Sequence, residues 1–503
     1  MVGHRDSHRG YGAGERGGTH CAFGSAATPS GTDRGDAAVG QTAQAVRMPL
    51  VCSVSGLRFT LEDFSPTLLE SLLRAFVQRL PDGAVAVGWD GRLGGELIEE
   101  LVLDTLRREG RRIHRLGVVP TPTVQYWIAH RRLPGGVAVT PSHNSAEWHG
   151  IKLFGAEGIT LDVRPFYREA LSGGFPPPNG HRESRPLSRW MQPQAVEAHL
   201  QSLRRPAWMR SLWEAIAQAR LHVVVDAVNA SASYILPLLL QRLGCRVTTL
   251  FADGSGQFPR VPEPLPEHLG ELSEWVRRCR ADVGIAVDPD ADRLVLVDER
   301  GECVWEEYTI ALAAWSVLEH LSAACGRLYE PVVVVNYSTS SAVESVVQAA
   351  GAHLVRAPVG ELNVVQALKQ WRGVLGGEGS GGVIVPHCHY GRDSLAGTVL
   401  ILGLLARQGK PLSEVVAQLP RPAMRKHKLP RPAELDSVLR RLEGHLRKAA
   451  RELRRDDGLY VRFDTGWVHI RASNTEPVLR FIAEAATVQQ VEQLERLVLP
   501  LLQ

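Results

Sequence analysis

The apolar positions of this chain fall into short β-branched runs separated by stretches with helical spacing, and the alternation repeats along most of its length. Residues 51–59 (VCSVSGLRF) open the globular part. Ser65-Pro66 then supplies an N-cap and a first-turn proline, and Leu68, Leu69, Leu72, Leu73, Phe76, Val77 and Leu80 recur at the spacing of one helix face. Residues 84–87 read as a buried strand, followed by a helix from about Gly95 to Arg108 and a turn at Pro120-Thr121-Pro122-Thr123. Residues 137–154 (VAVTPSHNSAEWHGIKLF) read as strand, exposed polar loop around Ser142, tight turn at His149-Gly150, and strand. The alternation restarts at 223–226 and at 332–335, so units roughly a hundred residues apart predict three α/β domains instead of one large sheet. Residues 175–180 (FPPPNG) form the clearest break, because neither a helix nor a central strand tolerates them. After Pro420-Arg421-Pro422 the pattern changes to an Arg/Leu-rich helix, paired strands at 459–463 and 467–470, and a closing helix near 488–502. The expected fold is therefore three α/β domains with mixed sheets, at 48–195, 196–302 and 303–420, and a C-terminal α+β domain at 421–503 around a central cleft.

Composition narrows this little. A chain of 503 residues exceeds what one core supports, and 44% hydrophobic with 22% charged residues is ordinary for a globular protein. A net charge of +3 gives no reason to expect nucleic acid or a membrane as partner. The seven cysteines are odd in number, scattered and without a C-x-x-C, which favours reduced thiols and a cytoplasmic location. No apolar run approaches the roughly 20 residues that span a bilayer, and the N-terminus lacks the apolar core of a secretory signal. Residues 1–47, rich in Gly, Arg, Ser, Ala and His, are expected to be a disordered tail, with Met48 an alternative start.

Four stretches carry candidate chemistry. Ser142 lies between Pro141 and His143, with Asn144 next and Lys152 ten residues on. By itself this is an ordinary turn, but a serine beside donors and a lysine also suits group transfer. Asp288-Pro289-Asp290-Ala291-Asp292-Arg293 follows the apolar run 283–287, at the carboxyl end of a strand where open α/β sheets bind ligands. Three clustered carboxylates repel unless a hard cation such as Mg²⁺ sits among them; a solvated acidic turn is the alternative. Residues 376–382 (GGEGSGG) are a Gly-rich turn carrying Glu378 and Ser380. Arg471-Ala472-Ser473-Asn474-Thr475-Glu476-Pro477, with Arg480 beyond, offers the guanidinium, hydroxyls and free backbone N–H groups of a phosphate cradle.

Together these strings resemble the α-D-phosphohexomutases, the family of phosphoglucomutase, phosphomannomutase and phosphoglucosamine mutase. T-P-S-H-N-S-A-E-W-H-G-I-K resembles the phosphoserine loop T-A-S-H-N-P-x-x-x-N-G-x-K, with Ser145 for proline and His149 for asparagine. The opening run resembles S-G-I-R-G with Phe59 for glycine, and Gly88-Trp89-Asp90-Gly91-Arg92 resembles V-G-x-D-x-R. D-P-D-A-D-R is similar to the metal loop D-G-D-A-D-R, G-E-G-S-G-G to the sugar loop G-E-x-S-G-H, and R-A-S-N-T-E-P to the phosphate loop R-x-S-N/G-T-E-P. Gly382 stands where many members have histidine, with His387 and His389 nearby, and Leu362 where many have lysine or arginine. These two departures resemble a phosphoglucosamine-mutase-like and phosphomannomutase-like branch.

The resemblance implies an enzyme that interconverts hexose 6-phosphate and hexose 1-phosphate through phosphorylated Ser142 and a hexose 1,6-bisphosphate. Glucosamine phosphate leads mannose and glucose phosphates as substrate. Catalytic groups would be Ser142, His143, Arg58 and Lys152, the lysine shuttling a proton if its pKa is depressed. One Mg²⁺ would be held by Ser142, Asp288, Asp290 and Asp292. Arg293 would face the substrate or the phosphoserine, Glu378 and Ser380 the sugar hydroxyls, and Arg471, Ser473, Asn474 and Thr475 the non-reacting phosphate. The enzyme would be a monomer or homodimer. The alternatives are a phosphatase or transferase sharing only D-x-D, and an idle sugar-phosphate-binding regulator suggested by Ser145, His149, Leu362 and Gly382.

Overall fold

The computed structural model describes residues 50–173, 190–325, 330–473 and 478–502. The expected tail at 1–47 and the break at 175–180 lie outside the described residues.

The first unit holds β1 (Leu50–Ser53), β2 (Gly56–Thr60), α1 (Pro66–Gln78), β3 (Val85–Trp89), α2 (Gly95–Arg108), β4 (Ile113–Val118), α3 (Thr121–Arg131), β5 (Gly135–Val139), β6 (Trp148–Phe154), α4 (Arg164–Leu171) and α5 (Pro193–Ser202). Its sheet runs β1-β2-β6-β5-β3-β4, with β3 parallel to β4 and β5, and the others antiparallel. The opening stretch 51–59 falls in two strands. Gly56 turns the hairpin at φ +138°, and a Cβ there would stand 2.6 Å from the Ile151 carbonyl oxygen, so only glycine fits. Ser65 caps α1 by accepting from the Leu68 N–H (3.3 Å), a contact worth about 1 kcal/mol.

Two further expectations are corrected here. The turn at Pro120–Thr123 is the start of α3, whose residues 121–128 are all buried. A helix enclosed on every side has no amphipathic stripe to read. His149-Gly150 is not a turn but the beginning of β6, with Gly150 paired to Arg58; the chain turns earlier, where the Trp148 N–H meets the Ser145 carbonyl (3.0 Å).

The second unit contains α6 (Ala207–Ala219), β7 (His222–Asp226), α7 (Ala232–Arg242), β8 (Arg246–Leu250), α8 (Gly270–Cys279), β9 (Val283–Val287) and β10 (Leu294–Asp298), in sheet order β10-β9-β7-β8. The third contains α9 (Glu307–Cys325), β11 (Val332–Asn336), α10 (Ala342–Ala349), β12 (His353–Ala357), α11 (Glu361–Trp371), β13 (Leu375–Glu378), β14 (Gly382–Ile384), α12 (Ser394–Gln408) and α13 (Leu412–Val416), in order β12-β11-β13-β14. Each sheet has parallel central pairs and an antiparallel edge. Helices on both faces bury β7, β9 and β11, which explains their near-continuous valine and isoleucine.

The fourth unit is an antiparallel sheet, β15-β19-β18-β17-β16, from β15 (Ala423–Pro430), β16 (Glu452–Arg454), β17 (Leu459–Arg462), β18 (Gly466–Ala472) and β19 (Val478–Ala485), with α14 (Leu435–Leu446) and α15 (Val488–Val498). The sequence reading missed β15, a Lys/Arg-rich edge strand of the kind that discourages further pairing.

One apolar core runs through the first three units, joining Val124 and Ala138 to Val225 and Ile285 and to Ile310 and Leu375. α12 is its axis, buried from Ser394 to Leu405. The fourth unit has a core of its own. It meets the third through a small aromatic cluster of Tyr337, Tyr460 and Trp467 and through polar pairs. No helix among the described residues is long and apolar enough to cross a membrane.

Candidate active site

Loops from all four sheets line a cleft formed by two adjoining cavities of about 680 and 320 Å³, which share Arg58, His143, Glu263, Arg293, Ser380, Lys426 and Arg480. Ser142 lies at its floor. The residue was expected on an exposed loop, yet it is only 1% exposed, because the second unit covers the loop. Its backbone is left-handed (φ +61°), a strained conformation for serine.

The strain is held by a buried frame. Asp90, at the end of β3, accepts from Arg92 Nε (2.9 Å) and Thr140 Oγ1 (2.7 Å), and Thr140 Oγ1 accepts the Ser142 N–H (2.9 Å). The Arg92 guanidinium donates to the carbonyls of Ser142 (2.7 Å), Trp148 (2.7 Å), Ser145 (3.2 Å) and Asn144 (3.3 Å). One arginine thus gathers four loop carbonyls. His149, in the place of the family's asparagine, packs beneath this frame at 2% exposure.

Ser142 Oγ donates to Asp288 Oδ2 (3.1 Å) and lies 3.3 Å from His143 Nδ1. Burial in the cleft, with Arg293 and Arg58 close by, holds the His143 imidazole well below its usual pKa, so it is neutral. Burial and the neighbouring Arg293 also bring Arg58 down to about 10, which leaves it cationic at neutral pH. Lys152, on β6, donates to Asp290 Oδ2 (2.6 Å) and Asp292 Oδ2 (2.9 Å). Burial alone would lower its pKa, but the two carboxylates outweigh burial and raise it. The two carboxylates therefore hold the lysine cationic, whereas a proton shuttle would need a depressed one.

Asp288, Asp290 and Asp292 lie on the turn after β9, with ligand-capable atoms within 4.8 Å of one another. Asp288 Oδ1 accepts the N–H groups of Asp292 and Arg293 (3.1 Å each), and Asp290 is fixed by Thr121 at the start of α3 (2.7 Å). Burial and the two neighbouring carboxylates push the Asp288 carboxyl well up. Asp290 Oδ1 and Asp292 Oδ1 are buried with no hydrogen-bond partner. Two orphaned carboxylate oxygens beside Asp288 Oδ2 are an all-oxygen donor set that fits a hard divalent cation.

Arg293 lines the cleft and pairs with Glu263 (2.9 Å). Glu378, at the end of β13, accepts from Asn336 Nδ2 (3.0 Å) and the Gly360 N–H (3.2 Å), and Ser380 faces the cleft beside it. Arg471 and Ser473 line the opposite wall, Arg471 paired with Asp457 (3.1 Å). Asn474 and Thr475 lie outside the described residues.

The sequence reading assigned no role to Arg392, Lys426 or Lys428, which also line the cleft. Lys426 and Lys428 sit on the missed strand β15. Arg392 had a faint signal, Gly-Arg-Asp-Ser, in which Asp393 is the N-cap of α12. His387 and His389 do not take the place of a histidine at 382. His387 lies against Trp208, and His389 bonds Asp393 (3.2 Å), which also takes His199 (3.0 Å), in a buried cluster where every imidazole nitrogen has a protein partner.

Models of phosphoglucomutase/phosphomannomutase domains match the chain in order: α/β/α domain I at 51–164, domain II at 197–301, domain III at 305–423 and the C-terminal domain at 424–500. A protein of Thermococcus kodakarensis named "Phosphoglucomutase/phosphomannomutase" is 33% identical, over 83% of this chain and 90% of its own length. One of Methanopyrus kandleri named "Probable phosphoglucosamine mutase" is also 33% identical, over 88% of this chain and 95% of its own. The crystal structure of a phosphoglucomutase/phosphomannomutase family protein from Burkholderia thailandensis superposes with TM-score 0.72 at 25% identity, covering 90% of this chain and 96% of that one. With four domains matched in sequence order and relatives aligned over nearly their full length, the chain belongs to the phosphoglucomutase/phosphomannomutase family and is a phosphohexomutase.

Proposed function

We propose that this phosphohexomutase interconverts glucosamine 6-phosphate and glucosamine 1-phosphate through a phosphoserine at Ser142 and a bisphosphorylated sugar. The observation that carries the chemistry is Ser142 Oγ, 3.1 Å from Asp288 Oδ2 at the foot of a cleft lined by arginines and lysines. The P–Oγ bond of phospho-Ser142 breaks as a sugar hydroxyl oxygen bonds to phosphorus, giving the 1,6-bisphosphate. The sugar turns over, its other phosphate returns to Oγ, and the second monophosphate leaves. Arg58, which lines the same cavity as Ser142, would donate to the transferring phosphoryl oxygens, and Arg293 would orient the substrate beside it. His143 Nδ1, 3.3 Å from Oγ, would help to orient it, and the cationic Lys152 would serve as a donor beside it.

Asp288, Asp290 and Asp292, with Ser142 Oγ, would hold one Mg²⁺. When bound, the ion offsets negative charge on the phosphoryl group. Glu378 and Ser380 would take the sugar hydroxyls, and the loop carrying Arg471, Ser473, Asn474 and Thr475 the far phosphate. Hexose 1,6-bisphosphate would prime an unphosphorylated enzyme.

Support for glucosamine phosphate comes from the names of relatives such as the Methanopyrus kandleri protein, and from the V-G-E-L-N-V and G-E-G-S-G-G strings. Intact-mass measurement should find a phosphate on Ser142, and a coupled assay should rank glucosamine 1-phosphate above the mannose and glucose 1-phosphates by about tenfold or more in kcat/KM. A chain that neither carries the phosphate nor turns over any of the three would sink the proposal; a different ranking would change only the sugar.

A further inference from the structure

The Arg392 guanidinium, largely buried, touches three carboxylates that belong to different parts of the cleft. Nη2 donates to Asp292 Oδ2 (2.5 Å) on the metal loop, Nη1 to Glu378 Oε2 (2.7 Å) on the sugar loop, and Nε to Glu361 Oε2 (3.3 Å) at the start of α11. Glu361 in turn accepts from Thr160 (2.5 Å) and Gln125 (3.0 Å) of the first unit. Without a cation among them, Asp292, Glu361 and Glu378 would repel one another in a site where water screens little.

Gly382 explains how the arginine reaches this position. Its φ is not left-handed, so the backbone does not demand glycine there. A Cβ built on it would instead overlap Arg392 Cδ and lie 3.1 Å from Cγ. Those are mid-stem atoms, held between the backbone and a guanidinium bonded on three sides, so they cannot give way without breaking those bonds.

We propose that Arg392 is a positioning residue that sets the register of the sugar loop against the metal loop, and that Gly382 is glycine to admit its side chain. Glu378 carries Arg392 on one oxygen and Asn336 and Gly360 on the other, so its orientation toward a sugar hydroxyl is fixed by this pairing. The chain's departure at 382 is then one half of a two-residue arrangement whose other half is Arg392. This inference rests on the reading above that Glu378 contacts the sugar.

The test is a double-mutant cycle on the full chain, using Arg392→Ala and Gly382→Ala, with Arg392→Gln to remove the charge alone and Arg392→Lys as the conservative variant. Arg392→Gln should raise KM for the hexose phosphate about tenfold and lower kcat by a similar factor, since lost register weakens binding and misplaces the reacting groups. A lysine keeps the charge but cannot fork to three carboxylates, so Arg392→Lys should restore part of the KM and not all of it. Gly382→Ala alone should reproduce the KM rise, and Gly382→Ala added to a short-stem Arg392→Ala should cost less than about twofold more. An unchanged KM in Arg392→Gln with only kcat reduced would mark a merely structural residue and overturn the role. A Gly382→Ala loss that persists in full with Arg392→Ala would overturn the pairing. The wild-type chain is the control: failure to convert any hexose phosphate defeats the function proposed above, whereas normal turnover with normal Arg392→Gln kinetics defeats only this inference.

Discussion

The two walls of the cleft are built from different interactions. The wall that holds Ser142 and the aspartates belongs to units fused by one apolar core, and its loop is tied down by an arginine that is 1% exposed. The wall that holds Arg471 and Ser473 belongs to a unit with its own core, joined to the third by pairs such as Arg462–Glu344 (2.6 Å), Tyr337–Asp456 (2.9 Å) and Lys426–Glu307 (2.9 Å). Phosphoryl transfer needs reacting atoms fixed to within tenths of an ångström, and close apolar packing supplies that. On the proposed reading, a cradle for the far phosphate would have to accept a sugar in either of two orientations, and partly exposed polar pairs such as Arg462–Glu344 are cheaper to adjust than an apolar core.

If this contrast is real, damage to the first wall should fall on kcat and stability, and damage to the second on KM. The largest effect is expected from Ser142→Ala, which removes the proposed phosphoryl carrier: turnover should fall by about 10⁴-fold or more, with hexose phosphate affinity by calorimetry little changed. Substantial residual turnover without added bisphosphate would count against a phosphoserine. Next comes the metal loop. Asp290→Asn should lower kcat by about 100-fold, and exhaustive chelation should abolish activity until Mg²⁺ is restored; activity that survives chelation would remove the metal from the scheme.

Arg92 and Arg462 make a matched pair. Arg92→Met leaves Asp90 buried without its cation and strips four carbonyls of their donor, at an expected cost of about 3–5 kcal/mol in denaturant unfolding together with a fall in kcat. Arg462→Met breaks an ion pair whose arginine is 38% exposed, so stability should drop by less than about 1 kcal/mol while KM rises. Equal stability losses in the two variants would erase the distinction between the walls.

Which wall a residue belongs to was only partly legible beforehand. Ser142, the aspartates, Glu378 and Arg471 could be singled out because their neighbours in sequence carry the chemistry with them. The bounds of α2 could be read from its apolar spacing. Arg392 could not, since the carboxylates that give it meaning lie 14, 31 and 100 positions away on separate elements, and one arginine among many has no periodicity to mark it. Lys426 was hidden because alternating charge on a solvent-facing edge strand resembles a loop. The burial of Ser142 escaped notice for a similar reason: its own loop is polar, and what covers it comes from another unit. α3 was read as a turn because a helix buried all round loses the stripe by which helices are recognised.

The finest discrimination between the walls should come from two buried histidines. His149 lies under the Ser142 loop, and burial, aided by Arg92, lowers it to about 4 against the partial opposition of Asp90 and Glu96. His469 lies at the junction of the third and fourth units, where Nε2 donates to the Asp457 carbonyl (2.8 Å) and Nδ1 accepts from Ser338 Oγ (2.9 Å). Burial lowers it to about 4 as well, with Arg471 and Arg356 adding to the effect and Asp457 opposing it. Each folded-state pKa is depressed below the roughly 6.5 of an unfolded histidine, so the unfolded chain binds the extra proton first as pH falls. The stability each contributes is therefore complete above about pH 6.5 and is lost progressively toward pH 4, on the order of 2 kcal/mol by pH 5. Protonating His469 also removes the acceptor for Ser338, which loosens the fourth unit specifically. His469→Gln should thus flatten an acid-side rise in KM that sets in below about pH 5, as the folded histidine titrates near 4, whereas His149→Asn should flatten the fall in stability between about pH 6.5 and 5 and leave the KM profile as it was. If the His469 variant keeps the wild-type KM profile, the polar junction does not govern the affinity of the far wall for substrate.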